Sequence, residues 1–231
     1  DVASNVTVVQ MPTSAGKTLL AEFNILVTKA LKKDSKIVYV VPSRALVNQI
    51  YFDLKSDLES LDLVIEKTSS AIEVDPNENT FLSQEIDILV STPEKLDLLI
   101  RRSHPSVEDV SLFIIDEAHT IQNGQRGAKL ELLLAILKRE RPSAKFMLLS
   151  PFIGNSAEII KEWLGGGNSI SIDWRPSEKI VFGIASGRKS KQDVIKFDIL
   201  PSAYSANSTE SAFEIFSPYE LKSTSKKDKL F

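Results

Sequence analysis

Five short runs of β-branched and aliphatic residues recur in the first 150 positions, each apolar on both faces and each followed by a longer amphipathic stretch. "VTVVQ" (6–10), "KIVYVV" (36–41), "DILVS" (87–91), "SLFIID" (111–116) and "KFMLLS" (145–150) read as strands, with a shorter one in "DLVIE" near residue 62. A strand without a polar face must be covered on both sides, and strands separated by helices are joined by crossovers that leave them parallel. Helices are expected at 17–32, 44–61, 93–101, 128–139 and 156–164, with Pro93 in a first turn and Asn155 or Ser156 as an N-cap. The fold class is therefore α/β, a mostly parallel sheet with helices on both faces.

The pattern changes after "GGGN" (165–168), where alternation weakens and Ser, Lys and Asn rise. "SEKIVFGIAS" and "VIKFDIL" are expected to pair as an antiparallel hairpin across "GRKSKQ", "SAYSANSTES" to form a loop, and "STSKKDKLF" to fray. A boundary falls between 165 and 176, giving a domain at 1–170 and an extension or linker at 171–231. The basic segments "GRKSK" (187–191) and "KSTSKKDK" (222–229) read as a solvated turn and tail.

Bulk properties exclude more than they identify. The 231 residues, 42% hydrophobic and 26% charged, have ordinary globular composition. Net charge is −3, so a nucleic-acid partner would have to be met by locally placed cations. There is no cysteine, which removes disulfides and thiolate metal sites. No apolar run approaches the roughly 18–20 residues of a membrane span, and no signal peptide is visible. The chain begins at Asp1, which reads as a piece of a longer, cytoplasmic protein.

Chemistry concentrates at two strand ends. "MPTSAGKT" (11–18) stands between the first strand and the first helix. A strand, a tight turn and a helix start aim backbone amides at phosphates; the Lys neutralises the outer phosphates and the following hydroxyl ligands Mg²⁺. That assigns Pro12, Thr13, Ser14, Ala15, Gly16, Lys17 and Thr18 to a nucleotide, although Met11 replaces the first Gly of the full pattern. At the end of the fourth long strand stand Asp116, Glu117, Ala118 and His119. A carboxylate there faces the crevice where α/β sheets bind ligands. Asp116 is placed to hold Mg²⁺ with Thr18, Glu117 to polarise a water as general base, and His119 to link the site to a neighbouring domain. Singly, each has a plainer explanation: a turn ending in Gly-Lys-Thr, or a helix cap with a first-turn carboxylate. Together, in this order and structural context, they point to a nucleoside triphosphate site.

With these residues in view, the stretch from Val6 to about Pro176 resembles the first RecA-like motor domain of a superfamily 2 helicase with a DEAH-type box, a P-loop NTPase fold. The likeness is greatest to the group of superkiller-type RNA helicases and archaeal DNA-repair helicases. It is carried by "MPTSAGKTLLAE", "VPSRALVNQ" (41–49), "STPEKLDLLIR" (91–101), "DEAH" (116–119), "RGAKLE" (126–131), "LSPFIGNSAEIIKEWL" (149–164) and "WRP" (174–176). The resemblance implies ATP and Mg²⁺ as cofactors, Lys17, Asp116, Glu117, His119 and Ser150 as the catalytic set, and movement along single-stranded DNA or RNA. It implies that the strand is gripped by Pro42, Ser43, Arg44, Thr92, Pro93, Glu94, Lys95 and Arg126. Outside the resemblance, Arg44 and Lys95 read as solvated helix residues, and Arg126 as an ion-pair partner of Glu131.

Three departures qualify these expectations. Ser150, Pro151 and Phe152 stand where the family has Ser-Ala-Thr, so a threonine hydroxyl is lost, while Ser150 is expected to bond toward Asp116 or His119. No adenine-recognising segment precedes the first strand. No match to a second RecA-like domain occurs in 177–231; such a domain would come from the same parent chain, and a lone first domain is expected to hydrolyse ATP poorly. Two other functions fit the same motifs: a nucleotide-gated clamp or scaffold on nucleic acid, and a duplex translocase subunit of a defence or restriction system.

Overall fold

The structure is a computed structural model that describes residues 5–12, 15–68, 85–122, 124–151, 156–172, 181–189, 192–200 and 212–216. The chain divides into two compact units, residues 1–175 and 176–231. In the first, β1 (Val6–Gln10), β2 (Lys36–Val40), β3 (Ile65–Lys67), β4 (Ile88–Ser91), β5 (Val110–Ile115), β6 (Lys145–Ser150) and β7 (Asn168–Ser171) form one sheet in the order β3-β4-β2-β5-β6-β1-β7. Every pairing in it is parallel. The described helices are α1 (Lys17–Leu31), α2 (Arg44–Asp57), α3 (Pro93–Arg101), α4 (Gly124–Glu140) and α5 (Ser156–Trp163).

Strand parity sorts the core into two layers. Val38 and Val40 of β2 enter a cluster with Leu96 of α3, Leu130, Leu133, Leu134 and Leu137 of α4, and Ile160 of α5. Ile37, Tyr39 and the following Val41 enter the opposite cluster, with Ala21 and Ile25 of α1 and Val47, Ile50 and Leu54 of α2. Each buried Val, Leu or Ile among them contributes about 1.5–3 kcal/mol by leaving water, and both sheet faces are used. The helices after β1 and β5 therefore leave toward opposite faces, which opens a crevice at the carboxyl ends of those strands. Among the described residues no helix is long and apolar enough to cross a membrane.

The second unit holds an antiparallel sheet, β10-β9-β8, of β8 (Val181–Lys189), β9 (Gln192–Leu200) and β10 (Ala212–Phe216). The expected hairpin is present with a shorter connection, because pairing continues to Lys189↔Gln192. Arg188 and Lys189, read as part of a turn, belong to β8 instead. The loop expected at 202–211 and the basic tail at 222–229 lie outside the described residues.

Other boundaries differ for local reasons. The domain limit expected at 170 would cut β7, whose Ser171 pairs with Gln10 of β1. That strand, "NSIS", is a polar edge strand with no apolar run to announce it. The helix expected over 44–61 ends at Asp57, followed by a 3-10 turn over Glu59–Leu61 and a left-handed Asp62 with φ of 52°. The helix expected from 128 begins at Gly124, through a glycine-rich stretch that reads as loop. Gly127 is needed there for space: a Cβ on it would meet Ile121 O at 1.9 Å and Thr120 O at 2.9 Å. Gly127→Ala should therefore lower stability by about 1–3 kcal/mol, the range for overpacking a close contact, measured as a shift of the urea midpoint.

Candidate active site and adjoining groove

The nucleotide-type loop and the acid box meet because β1 and β5 flank β6. Pairing of β1 with β6 runs from Val6↔Phe146 to Gln10↔Ser150, and one more bond, Met11 N–H to Ser150 O at 3.0 Å, carries it into the loop. Met11 is buried with Val9, Ala21 and Ile25, so the position that lacks the first glycine serves the core. Pro12 O accepts from Ala15 N–H at 3.3 Å. Gly16, the N-cap of α1, has φ of 93°, which disfavours any side chain, and a Cβ there would enter open space. Thr13 and Ser14 lie outside the described residues.

Lys17 opens α1 with its ammonium buried and, among the described residues, without a hydrogen-bond partner. Its nearest counter-charge is Glu117 Oε1 at 3.8 Å. Asp116 follows β5 directly, its N–H donating to Val40 O at 2.8 Å. Its Oδ1 accepts from Glu117 N–H at 2.8 Å, which fits the left-handed backbone of Glu117, φ 51°. His119 Nδ1 approaches Glu117 Oε2 at 3.1 Å, out of line for a hydrogen bond. Lys17, Glu117 and His119 thus form one polar row, with Asp116 beside it.

Burial pushes the Asp116 carboxyl above its ordinary range, and the neighbouring Glu117 charge adds to this; the Glu117 N–H, Lys17 and the Tyr39 hydroxyl oppose it. Tyr39 was not expected at this site. It is fully buried in β2, and its hydroxyl donates to Asp116 Oδ2 at 3.4 Å. Burial, then the Asp116 charge, pushes the Tyr39 phenol far up, so it remains a donor. The signal in the sequence was a tyrosine inside a buried strand, whose O–H must find a partner.

Ser150 differs from expectation. Its hydroxyl donates to Pro151 O at 3.0 Å, not toward Asp116 or His119, and its carbonyl accepts from Met11. Ser150 therefore joins β6 to the phosphate-type loop through its backbone. Phe152 lies outside the described residues.

A pocket of about 280 Å³ beside this site is lined by Arg44, Val47, Asn48, Lys67, Thr68, Thr92 and Lys95. It gathers the starts of α2 and α3 with the end of β3. Ser43 Oγ caps α2 by accepting from Leu46 N–H at 3.3 Å, and Thr92 Oγ1 caps α3 by accepting from Lys95 N–H at 3.4 Å. Pro93 occupies the first turn of α3, and Pro42 and Glu94 flank the two caps. Behind the pocket Thr68 Oγ1 donates to Ser91 Oγ at 3.3 Å, and Ser91 Oγ to Thr92 O at 3.1 Å. Lys67, Thr68 and Asn48 were not singled out in the sequence, because only strand pairing brings them here. Arg126 is exposed on α4 and does not line the pocket. It makes no ion pair with Glu131, which stands about 140° away around the helix at five residues' separation.

The family described as DEAD/DEAH box helicase matches residues 2–157. The chain belongs to the DEAD/DEAH box helicase family. It is 37% identical over 171 residues to the ATP-dependent DNA helicase Hel308 of Thermococcus kodakarensis, covering 74% of this chain and 14% of that protein. It is 36% identical over 168 residues to Hel308 of Pyrococcus abyssi, covering 73% and 22%. This DEAD/DEAH box chain therefore spans less than a quarter of the length of these curated relatives. Among solved structures, the DUF1998 helicase MrfA bound to DNA superposes with a TM-score of 0.61 at 23% identity, covering 74% of this chain and 25% of that one. That likeness shows the RecA-like helicase fold of the family.

The raised Asp116 carboxyl has a pH signature. The unfolded chain loses this proton near the ordinary value of 3.8, the folded chain only higher, so stability contributed by the proton is lost as pH rises through that window. Asp116→Asn should therefore resist urea better than the parent at neutral pH. The gain should vanish at pH below the ordinary carboxylate range, where the aspartate is protonated in both states.

Proposed function

We propose that this chain is the first motor domain of an ATP-dependent nucleic-acid helicase or translocase, binding ATP with Mg²⁺ and moving on a single strand. The observation that carries the proposal is the buried Lys17 ammonium, which has no hydrogen-bond partner among the described residues, at the start of a 15-residue helix and beside a Gly16 that faces open space. A buried, unsatisfied cation is costly unless a ligand completes it, and amides at a helix start favour phosphate. The residues present thus fit a nucleoside triphosphate.

ATP would supply the phosphoanhydride bond that is broken. Pro12 to Thr18 would cradle its phosphates, with Lys17 on the outer ones. Thr18 and Asp116 would hold Mg²⁺ together with the phosphates, and among the described residues no group of three His, Cys, Asp or Glu offers another cage. Tyr39 orients Asp116 from below. Glu117 would accept a proton from the attacking water, and His119, 3.1 Å from Glu117, would hold that carboxylate and face a neighbouring domain. The relatives' length supports a second RecA-like domain in the parent chain, which would complete the site; residues 171–231 would serve as extension or linker toward it.

Strand binding would use the groove, with Arg44, Lys67 and Lys95 as its cations and the caps Ser43 and Thr92 presenting α2 and α3. Pro42, Pro93 and Glu94 would shape the two helix starts, and Arg126 would contact the strand from α4. The Hel308 relatives are DNA helicases by name and the MrfA structure holds DNA, which favours DNA as the track.

The test is ATP hydrolysis by the full-length protein with single-stranded DNA, single-stranded RNA or neither. DNA should stimulate turnover. Glu117→Gln should lower kcat by about 10²–10⁴-fold, as for loss of a general base, and Lys17→Ala should abolish stimulation. Turnover unchanged by both substitutions would refute the assignment. ATP binding without turnover would favour the clamp.

A further inference from the structure

The groove contains a cation fixed in place by neighbours that have no part in the ATP site. Lys67 closes β3, and the pairing Lys67↔Val90 carries it to the pocket mouth near Thr92. Its ammonium donates to Asn48 Oδ1 at 2.7 Å and lies 4.5 Å from the ring centre of Tyr51 and 4.8 Å from that of Phe52. The two rings meet edge to face with centroids 5.3 Å apart. One turn further along α2, Lys55 donates to Tyr51 Oη at 2.8 Å and lies 5.0 Å from the same ring.

These groups share one face of α2. Arg44, Asn48, Tyr51, Phe52 and Lys55 fall within an arc of about 100° and a length of about 17 Å at helical pitch. The apolar residues that α2 gives to the core, Val47, Ile50 and Leu54, are buried, whereas Phe52 is 62% exposed. The stripe therefore begins as a groove wall with Arg44 and Asn48 and ends as an aromatic shelf flanked by two lysines. The groove lining has three cations, Arg44, Lys67 and Lys95, and no carboxylate. A ligand that suits both parts must alternate negative charge with flat apolar faces, which is the chemistry of a single-stranded nucleic acid.

We propose that a single strand leaves the groove along this face of α2, with Lys67 on one of its phosphates and a base stacked on the exposed ring of Phe52. The inference rests on the groove being the strand site. It adds a base platform and a positioning cation that lie outside the blocks of family resemblance at Thr92 to Lys95 and at the helix start. Tyr51 is the spacer of this arrangement: Lys55 lies over its ring and Lys67 over both its ring and that of Phe52, so one side of Phe52 carries a cation and its remaining exposed surface is offered to a base. Stacking needs only a π-face, so the platform serves any base sequence.

The experiment is fluorescence anisotropy with the full-length protein, a labelled oligothymidylate and a labelled oligomer of equal length made of abasic nucleotides. Phe52→Ala should weaken oligothymidylate binding about tenfold, within the range for one lost stacking contact, and leave the abasic oligomer unchanged; Phe52→Tyr should restore it. Loss confined to the base-bearing probe cannot arise from misfolding. Lys67→Gln should weaken both probes and reduce the slope of log affinity against log salt by about 0.7, one phosphate's share on a single strand. If Phe52→Ala binds both probes like the parent, or weakens both equally, the platform is refuted. Should Arg44→Ala and Lys95→Ala weaken binding while Phe52→Ala and Lys67→Gln do not, the groove stands and the path along α2 is wrong. If none of the four changes matters, the groove itself is not the strand site.

Discussion

Parallel register is the constraint from which the rest of the molecule follows. Parallel strands end on the same rim, and here the ends of β1, β2, β4 and β5 release the phosphate-type loop, Ser43, Thr92 and the acid box, in that order. Because β6 sits between β1 and β5, the loop and the box are separated by one strand, and Lys17 can reach Glu117. Because β2 pairs with β4, the starts of α2 and α3 lie side by side and line the groove. A slip of one residue in any pairing would also turn its apolar set to the wrong layer, so the core enforces the register that the site requires.

The strands were legible because they are buried on both faces, which leaves a run of β-branched residues with nothing polar to blur its ends. Elements that lack this property were not. β7 is an edge strand of "NSIS", and the opening of α4 passes through "GQRG", where glycine ordinarily signals a loop. The end of α2 was overrun because Leu58 and Leu61 keep an apolar spacing past the last helical turn, while the backbone has already tightened and turned left-handed at Asp62.

The site was legible to the same degree and for a related reason. Lys17, Asp116, Glu117 and His119 each sit next to a strand end in the sequence, so reading the strands was enough to bring them together. Tyr39 and Lys67 join through pairing between strands distant in the chain, which no local pattern encodes. The unusual Ser150-Pro151 step became intelligible only with β1 in place. Ser150 is held at its carbonyl by Met11, and its hydroxyl is spent on Pro151, so the link between β6 and the site is made by the main chain. Met11 in turn fills the core where the phosphate-loop pattern has glycine, which ties the loop to the layer beneath it.

Gly127 places the backbone of α4 against the carbonyls of Thr120 and Ile121, in the turn that begins with Ala118 and His119. Contacts between side chains can absorb displacement by changing rotamer; a contact between two main chains has no such slack. The helix bearing Arg126 and the turn bearing His119 therefore meet main chain to main chain, with no side chain between them at Gly127.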